Sequence, residues 1–251
     1  INFMKILTIA LDYCMSPTIQ LYNDAFFDND PLTRWNDLFN NTDFKENHLT
    51  IDQSNLLFCF DTFLKSLKQC DSVSFGYEHD AILFNLQKFS DIELINIDHH
   101  DDVLGGSYVN DTGYNPAAYN SEGALIKEYY DLCENGRVNE SNWVGWLVNQ
   151  KKLKSYTWIG NQNSNKSKNF FIERIIPEYV NLEKENYNFE NYKFDHIHVC
   201  LSPQYIPKNH WHYFSMFIHT YEHFHEKDAT IENKKFENDF RYKRLDNEIL
   251  Y

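Results

Sequence analysis

The sequence predicts an α/β fold in which helices cover both faces of a mostly parallel sheet, giving three layers. Short apolar runs, typical of buried parallel strands, alternate along the chain with segments of helical periodicity. Two of these runs lead directly into clusters of His and Asp side chains. Ligands bind at the carboxyl ends of the strands in such sheets, so the clusters fit this architecture. We expect one domain over residues 1–251, in which residues 1–3 precede a natural start at Met4.

The expected strands are short apolar segments bounded by polar or turn-forming residues. They lie at 5–11, 72–77, 93–98, 155–160 and 195–201. The clearest helix covers 52–70, where apolar residues recur every three or four positions and Asp52 or Ser54 can cap the amino end. Further helices are expected at 80–89, 122–133, 142–151 and 210–224.

Other parts of the chain show no regular period and are expected to be irregular. Residues 16–50 are broken by prolines and by clusters of Asn and Asp, and residues 178–193 are mostly polar. Residues 103–118 contain three glycines and Pro116. Because they follow the strand at 93–98, we expect them to form a loop that shapes a ligand pocket.

The composition limits the kinds of partner. The chain has 23 Lys and Arg against 37 Asp and Glu, a net charge of −14. Such a charge argues against binding to nucleic acid or to an anionic membrane, and it is compatible with a cationic ligand. The sequence shows no secretory signal or transmembrane run, and its five cysteines have no CxxC spacing. We therefore expect a cytoplasmic protein with reduced, mostly buried thiols.

The candidate functional site is centred on Asp98-His99-His100-Asp101-Asp102, which directly follows an apolar strand. In an extended backbone Asp98, His100 and Asp102 would point the same way, because side chains alternate along a strand. Two carboxylates and an imidazole at one point suit Mn²⁺, Zn²⁺ or Fe²⁺. The alternative is a solvated acidic turn with a histidine at the surface.

Two further strands end in residues that would complete a metal site. Asp12 follows the strand at 5–11, and His79 follows the strand at 72–77. One helix joins the strands before His79 and Asp98, which predicts a βαβ unit. Since the carboxyl ends of parallel strands share one edge, we expect Asp12 and His79 to converge with the cluster after the strand at 93–98.

Other candidate groups have a simpler explanation. His196 and His198 alternate on the last strand, but they lie mid-strand, which favours packing over metal ligation. Cys14 lies near a strand end, yet no motif links a histidine to it as in a nucleophile pair. The closing helix carries His and Glu residues that do not form the H-E-x-x-H motif and predict a solvated face: His219, Glu222, His223 and His225.

The segment Asp98-His99-His100-Asp101-Asp102 matches the D-x-H-x-D motif of arginases and other ureohydrolases, and His79 lies where that fold places its first metal histidine. Three further segments resemble the peptide arginases: Leu11-Asp12-Tyr13, Trp158-Ile159-Gly160 and Leu201-Ser202-Pro203-Gln204-Tyr205. Those enzymes convert arginine in a precursor peptide to ornithine and release urea. The resemblance spans roughly residues 4–210.

The resemblance implies an arginase-like fold and two Mn²⁺ ions that activate water for attack on the guanidinium carbon of a peptide arginine. An arginine-containing precursor peptide is the implied partner. The implied metal ligands are Asp12, His79, Asp98, His100 and Asp102. Asp98 would bridge the ions, with His79 and Asp102 on one and Asp12 and His100 on the other. Asp98 and His100 would also act in catalysis.

The family pattern does not assign the residues that bind the guanidinium, and we take Glu78 and Glu122 as guesses. One position departs from the family pattern L-D-L-D-Y, because this chain reads Ile9-Ala10-Leu11-Asp12-Tyr13. Ala10 therefore stands where a metal-bridging aspartate is expected, lost either naturally or by mutation. On a strand, an aspartate at 10 would face the same way as Asp12 and reach the same ions.

Two other functions remain open on the sequence alone. One is a different metal-dependent C–N hydrolase, such as a deacylase or an amidinohydrolase for a small molecule. The other is a non-catalytic protein that binds peptides, which Ala10 makes plausible.

Overall fold

The fold is built on a six-stranded, all-parallel sheet with helices on both faces, as the sequence predicts. The computed structural model describes residues 3–16, 31–41, 45–86, 89–103, 138, 142–164, 176, 178–187 and 193–225. The strands are β1 (Met4–Ala10), β2 (Met15–Ser16), β3 (Thr50–Ile51), β4 (Ser72–Gly76), β5 (Ile92–Ile97), β6 (Leu153–Ile159), β7 (Tyr179–Leu182) and β8 (His196–Cys200). The sheet order is β4-β8-β1-β5-β6-β7, and β2 and β3 form a separate antiparallel pair.

Five α-helices lie within the described part of the chain. They are α1 (Pro31–Asn41), α2 (Gln53–Leu67), α3 (Leu83–Leu86), α4 (Trp143–Asn149) and α5 (His212–His225). Short 3₁₀ helices occur at Leu11–Cys14, Glu46–His48, His79–Ile82, Lys184–Asn186 and Lys208–His210. None of the described helices has both the length and the apolar character that crossing a bilayer requires.

The hydrophobic core lies on both faces of the central strand β1. Leu7 and Ile9 pack on the face covered by α1, α2 and α5, together with Phe63 of α2. Ile6 packs on the opposite face, together with Trp143 of α4. All five side chains are fully buried, because β1 is flanked by β8 and β5 and covered by helices on each side. This arrangement confirms the predicted three-layer α/β architecture.

Helix α2 follows its predicted pattern closely. Asp52 caps the amino end by accepting a hydrogen bond from the Asn55 N–H (2.9 Å). Leu56 and Phe63 are buried in the core, whereas Leu57 is 66% exposed. The helical spacing of the apolar residues thus turns one face of α2 toward the sheet and the other toward solvent.

The chain connections create two crevices at the carboxyl ends of the strands. The helices after β1 and β8 cover one face of the sheet, and the next described helices after β4 and β5 cover the other. β8 lies beside β4, and β1 lies beside β5. At both places neighbouring strands send the chain to opposite faces, which is where ligands bind in open α/β sheets.

Two segments that were expected to be irregular are regular in the structure. Helix α1 lies within 16–50; Trp35 and Leu38 are buried at helical spacing, but the surrounding Asn and Asp residues conceal the period. Pro31 suits the first turn of α1, where no N–H partner is needed. Strand β7 lies within 178–193, and as an edge strand it is only half-buried and shows no apolar run. The expectation of irregular structure is wrong for both.

All five expected strands are present, with ends shifted by no more than two residues. The predicted βαβ unit is present as β4, α3 and β5, although its two strands are not neighbours, because β8 and β1 lie between them. The helix expected at 80–89 is shorter, and α3 ends at Leu86. The loop expected at 103–118, beyond Val103, and the helix expected at 122–133 lie outside the described residues.

We predict that Leu56→Ala lowers the free energy of unfolding by about 2–5 kcal/mol, because it removes buried methylene groups and leaves a cavity. Leu56 is only 5% exposed. The matched control is Leu57→Ala at the next position, which should change stability by less than about 0.5 kcal/mol. Urea unfolding followed by circular dichroism measures both variants. Equal losses would show that α2 does not pack as described.

Candidate metal centre

The structure brings the five predicted ligands together at the carboxyl edge of the sheet. His79 Nδ1 lies 2.7 Å from Asp98 Oδ2 and 3.1 Å from Asp102 Oδ2. His100 Nδ1 lies 3.2 Å from Asp12 Oδ2 and 4.0 Å from Asp98 Oδ1. Two groups of three result, and within each group the candidate ligand atoms lie within 4.8 Å of one another. One group is Asp12, Asp98 and His100, and the other is His79, Asp98 and Asp102.

Asp98 belongs to both groups, and its two carboxylate oxygens face different histidines. Oδ1 accepts a hydrogen bond from the His100 N–H (3.0 Å), and Oδ2 meets the His79 ring. Asp98 is buried, as are Asp12 and Asp102. A carboxylate placed in this way can contact two cations at once, as in sites that hold a pair of metal ions.

The backbone that brings these side chains together is not extended, although their spacing suggested an extended strand. β1 ends at Ala10, and Asp12 lies in the 3₁₀ helix Leu11–Cys14. β5 ends at Ile97, and the segment after it bends, with Asp102 at a φ of 55°. Positive φ is uncommon for residues other than glycine and persists where surrounding contacts hold the backbone. The prediction that alternate positions on a strand align these ligands is therefore wrong, although the residues do meet.

Contacts with α4 hold Asp102 in this conformation. Its carbonyl oxygen accepts hydrogen bonds from the Val144 N–H (3.1 Å) and the Gly145 N–H (3.3 Å) in the first turn of the helix. Trp143 Nε1–H donates to Asp102 Oδ2 (2.6 Å). The Trp143 ring also lies 4.8 Å from the His79 ring, centroid to centroid. The amino end of α4 thus positions one carboxylate and the imidazole beside it.

Two side chains of β6 hold the backbone of the same segment. Trp158 Nε1–H donates to the Asp98 carbonyl oxygen (3.0 Å), and the Tyr156 hydroxyl donates to the Asp101 carbonyl oxygen (2.6 Å). The Tyr156 hydroxyl also accepts a hydrogen bond from Asn96 Nδ2 (3.2 Å). Hydrogen bonds within the protein therefore fix the backbone that carries three of the candidate ligands.

His79 reaches Asp98 across the ends of two strands. β4, which precedes His79, is separated from β5 by β8 and β1. This separation is roughly 14 Å, because neighbouring strands lie about 4.8 Å apart. The segment after Gly76 therefore crosses the ends of both intervening strands. Ala10, the last residue of β1, is fully buried.

His99 and Asn161 were not among the predicted site residues, yet both are buried beside the site. His99 Nδ1 lies 3.2 Å from Asn161 Oδ1, and Asn161 Nδ2 donates to the Tyr13 carbonyl oxygen (2.9 Å). Burial and the charge of His100 lower the pKa of His99 to about 4, so its ring is neutral at pH 7. Asn161 thereby ties the turn that carries Asp12 to the segment after β5. Its position just past the end of β6 is the signal that could have identified it.

The site concentrates charge in a buried region. Burial lowers the pKa of His79, but its contacts with Asp102 and Asp98 outweigh this effect and raise the pKa to about 10. Burial is likewise outweighed at His100, where the hydrogen bond to Asp12 and the nearby carboxylates raise the pKa to about 9. Burial raises the pKa of both Asp12 and Asp98, and a neighbouring carboxylate raises each further. In the metal-free protein each ligand group therefore holds a proton at neutral pH.

The residues present fit divalent metal ions. Three carboxylates and two imidazoles form a donor set that Mn²⁺, Fe²⁺ and Zn²⁺ accept. Asp12 Oδ1 is buried and has no hydrogen-bond partner among the described residues, a costly state for a carboxylate oxygen that a cation would relieve. Metal ligation would also take the place of the protons on His79 and His100.

Of the two residues guessed to bind the substrate, Glu78 and Glu122, the structure describes only Glu78. Glu78 is half-buried directly before His79, and its Oε1 accepts a hydrogen bond from Gln204 Nε2 (2.9 Å). Gln204 belongs to the loop after β8, in which the Tyr205 ring lies 4.7 Å from the His100 ring, centroid to centroid. Glu122 lies outside the described residues.

Most residues that were not assigned to the site lie as predicted. His196 and His198 are buried on β8, before its carboxyl end. Of the closing-helix residues, His219, Glu222 and His223 are exposed as predicted, whereas His225 is half-buried. Cys14 is buried 3.8 Å from Cys59, sulfur to sulfur, and burial raises the pKa of its thiol, which does not suit a nucleophile. The described cysteines are free thiols, namely Cys14, Cys59, Cys70 and Cys200. Cys133 and most of the segment between β5 and α4 lie outside the described residues.

Comparison of the chain with protein-family models, with curated proteins and with solved structures found no match in any of the three.

We predict that Mn²⁺ binding releases protons and becomes tighter as the pH rises from about 6 to about 9. His79 and His100, with pKa values of about 10 and about 9, carry protons at neutral pH in the metal-free protein. An imidazole must lose its proton to bind a metal ion, so higher pH favours binding. Calorimetry near neutral pH, in buffers of different ionisation enthalpy, should show release of about one proton per bound ion, because each ligand group contains one histidine.

The control for this measurement is His219→Ala, which removes an exposed histidine and should leave the proton count unchanged. Binding without proton release, or binding that weakens as the pH rises, would contradict the assignment of His79 and His100 as ligands.

We predict that Trp143→Phe weakens Mn²⁺ binding by about 10- to 100-fold, because Asp102 loses the donor that orients its carboxylate. The matched control is Trp146→Phe, which alters another fully buried indole on α4 and should leave the affinity almost unchanged. The electron paramagnetic resonance signal of free Mn²⁺ gives the affinity of each variant. A loss of the same size in both variants would assign the effect to general loosening of α4.

Proposed function

We propose that this protein is a hydrolase with two manganese ions that converts arginine residues of a precursor peptide to ornithine and releases urea. The observation that carries the proposal is the pair of ligand groups that share Asp98. The D-x-H-x-D spacing of Asp98, His100 and Asp102 resembles that of the arginases and supports the choice of reaction. The peptide substrate is proposed from the resemblance of Leu201–Tyr205 and neighbouring strand ends to the peptide arginases.

The donor set favours Mn²⁺ over softer metals, because carboxylate oxygens outnumber nitrogens and no thiol belongs to either ligand group. His79 and Asp102 would hold one ion, Asp12 and His100 the other, and Asp98 would contact both. When bound, such ions supply Lewis acidity and lower the pKa of water, so that a nucleophile is available near neutral pH.

The residues beside the site suit a positively charged side chain. Glu78 and Gln204 form a hydrogen-bonded pair next to His79, and Gln204 Oε1 is a buried acceptor to which no residue in the described part of the chain donates. A guanidinium presents five N–H donors and pairs with a carboxylate through two parallel hydrogen bonds. We infer that Glu78 and Gln204 hold the guanidinium, while Tyr205 lines the approach beside His100. The net charge of −14 would also favour the approach of a cationic substrate.

Ala10 weighs against activity in the chain as it stands. Ile9, the residue before it, pairs with Ile97 on β5. Position 10 is therefore in register with Asp98, just past the end of the neighbouring strand. Its side chain is not aligned with Asp12, because the strand ends at Ala10 and Asp12 lies in a 3₁₀ helix. The expectation that an aspartate at 10 would face the same way as Asp12 is therefore wrong. An aspartate at this position would still lie at the shared edge of the two ligand groups. The missing ligand favours a second candidate function, the non-catalytic binding of a peptide at the same acidic edge.

We predict that the chain with Ala10 binds far fewer than two Mn²⁺ ions and releases little urea, and that Ala10→Asp restores both. Loss of a direct ligand should cost more than the roughly 10- to 100-fold of a residue that only orients a ligand. Without metal, the added buried carboxylate should lower the melting temperature, and Mn²⁺ should reverse this loss. Metal analysis, thermal unfolding and urea release measure the three effects.

The matched control is Ala10→Asn, which adds a side chain of the same size without charge and should restore neither metal content nor activity. Urea release is compared on an arginine-containing peptide, free arginine and agmatine. Urea from the free compounds alone would indicate a small-molecule amidinohydrolase, and two bound ions without urea from any of them would favour the binding protein. Two ions per chain with Ala10 in place would contradict the role given to position 10.

A further inference from the structure

Four hydrogen-bonding side chains form a row on β4, the outermost strand on one side of the sheet, and on its neighbour β8. The row leads toward the candidate metal centre at the carboxyl ends of the strands. Ser72 and Ser74 on β4 lie opposite His196 and His198 on β8, in parallel register. His196 Nδ1 lies 2.8 Å from Ser72 Oγ, and His196 Nε2 lies 2.7 Å from Ser74 Oγ. Ser74 Oγ also lies 2.8 Å from His198 Nδ1. We call these four residues the Ser–His row.

The donors and acceptors in the Ser–His row follow from its outer end. Ser72 Oγ–H donates to the Asp195 carbonyl oxygen (3.1 Å), which can only accept. When each ring carries a single proton, Ser72 Oγ accepts from His196 Nδ1–H, and His196 Nε2 becomes an acceptor. Ser74 Oγ–H donates to His196 Nε2 and accepts in turn from His198 Nδ1–H. This order leaves His198 Nε2 as a hydrogen-bond acceptor.

The Nε2 edge of His198 faces the start of the segment that carries His79. A Cβ atom on Gly76 would lie 2.7 Å from His198 Cε1 and 2.8 Å from His198 Nε2, so only glycine leaves room for this ring. The rings of His198 and His79 are nearly parallel, at 16°, with their centroids 6.1 Å apart. The Nε2 atoms of both rings are buried and have no hydrogen-bond partner among the described residues.

A histidine that binds a metal ion donates its other ring N–H to an acceptor, which fixes the tautomer and the orientation of the ring. His79 Nδ1 is the atom that meets Asp98 and Asp102, so Nε2 carries the proton that needs an acceptor. We propose that His198 Nε2 receives this N–H through one bridging water, and that His198 is a positioning residue for His79. The proposal rests on the proposed metal centre and does not depend on the reaction that the centre performs.

The separation of the rings suits one intervening water. A direct N–H···N hydrogen bond of about 2.9 Å would bring the ring centroids to about 5 Å, which is closer than the 6.1 Å observed. A water that bridges two ring nitrogens needs further polar partners in a polar gap. The Glu78 carbonyl oxygen lies 3.0 Å from the Cβ position of Gly76 and provides one.

The test compares His198→Phe, which keeps a planar ring without an acceptor, with His198→Gln, whose side-chain carbonyl can accept. Mn²⁺ affinity is measured from the signal of the free ion, in the chain as it stands and in the Ala10→Asp background. His198→Phe should weaken binding by about 10- to 100-fold, and His198→Gln should recover most of the loss. Unchanged affinity in His198→Phe would overturn the proposal. So would an affinity in His198→Gln as weak as in His198→Phe, because packing alone would then explain the loss.

A second readout uses the metal-free protein and histidine labelled with ¹⁵N. The His79 Nε2–H should give a ring N–H signal in nuclear magnetic resonance that is protected from exchange with water and is lost in His198→Phe. Ser74→Ala, a milder change at a half-buried residue, should weaken the same signal because His198 loses the acceptor for its Nδ1–H. A signal that persists in both variants would overturn the proposal. Absence of urea release alongside the expected affinities would count against the proposed reaction alone.

Discussion

The rest of the site depends on the contacts that the buried Asp98 carboxylate makes with two histidines. One oxygen faces His79, which arrives from β4 over the ends of two strands, and the other faces His100. Removing a carboxylate from water is costly unless donors or cations surround it. The two crevices of the sheet supply imidazoles from both sides of Asp98. Each oxygen of this buried carboxylate needs a partner. This need explains why residues from three strand ends meet at one point.

The geometry around Asp98 is set by residues that do not belong to the ligand groups. Trp158 and Tyr156 hold the backbone of the ligand-bearing segment, and Trp143 holds the Asp102 side chain. These donors lie on β6 and α4, and their side chains are held in place by packing in the hydrophobic core. A site supported in this way keeps its shape whether its charge is balanced by protons or by metal ions. Under the proposed function, exchange of protons for metal ions would therefore leave the geometry of the site largely unchanged.

The sequence was sufficient to locate the strand ends, because buried parallel strands are continuous apolar runs and the polar residues that follow them stand out. It was not sufficient to describe how Asp102 reaches the site, since its positive φ depends on contacts with Trp143, far along the chain. The sheet order shows the same limit: β8, the last strand described, lies between β4 and β1. Pairing between distant segments leaves no local pattern. Asn161 follows a strand end and could have been identified by that position, but its contacts with His99 and Tyr13 join segments that are far apart in the sequence.

Position 10 lies at the same edge of the sheet. Ala10 is fully buried at the end of β1, and the register of Ile9 with Ile97 places it next to the position of Asp98. An aspartate would add a fourth carboxylate to a buried cluster that already has three carboxylates and only two imidazoles. The metal-free protein would then carry an excess of buried negative charge, and bound ions would become part of its folding free energy. Under the proposed function, alanine would lower the affinity for metal and would also lessen this dependence, because one buried carboxylate fewer would need a cation. The side chain at position 10 would then decide how strongly the stability of the chain is linked to metal.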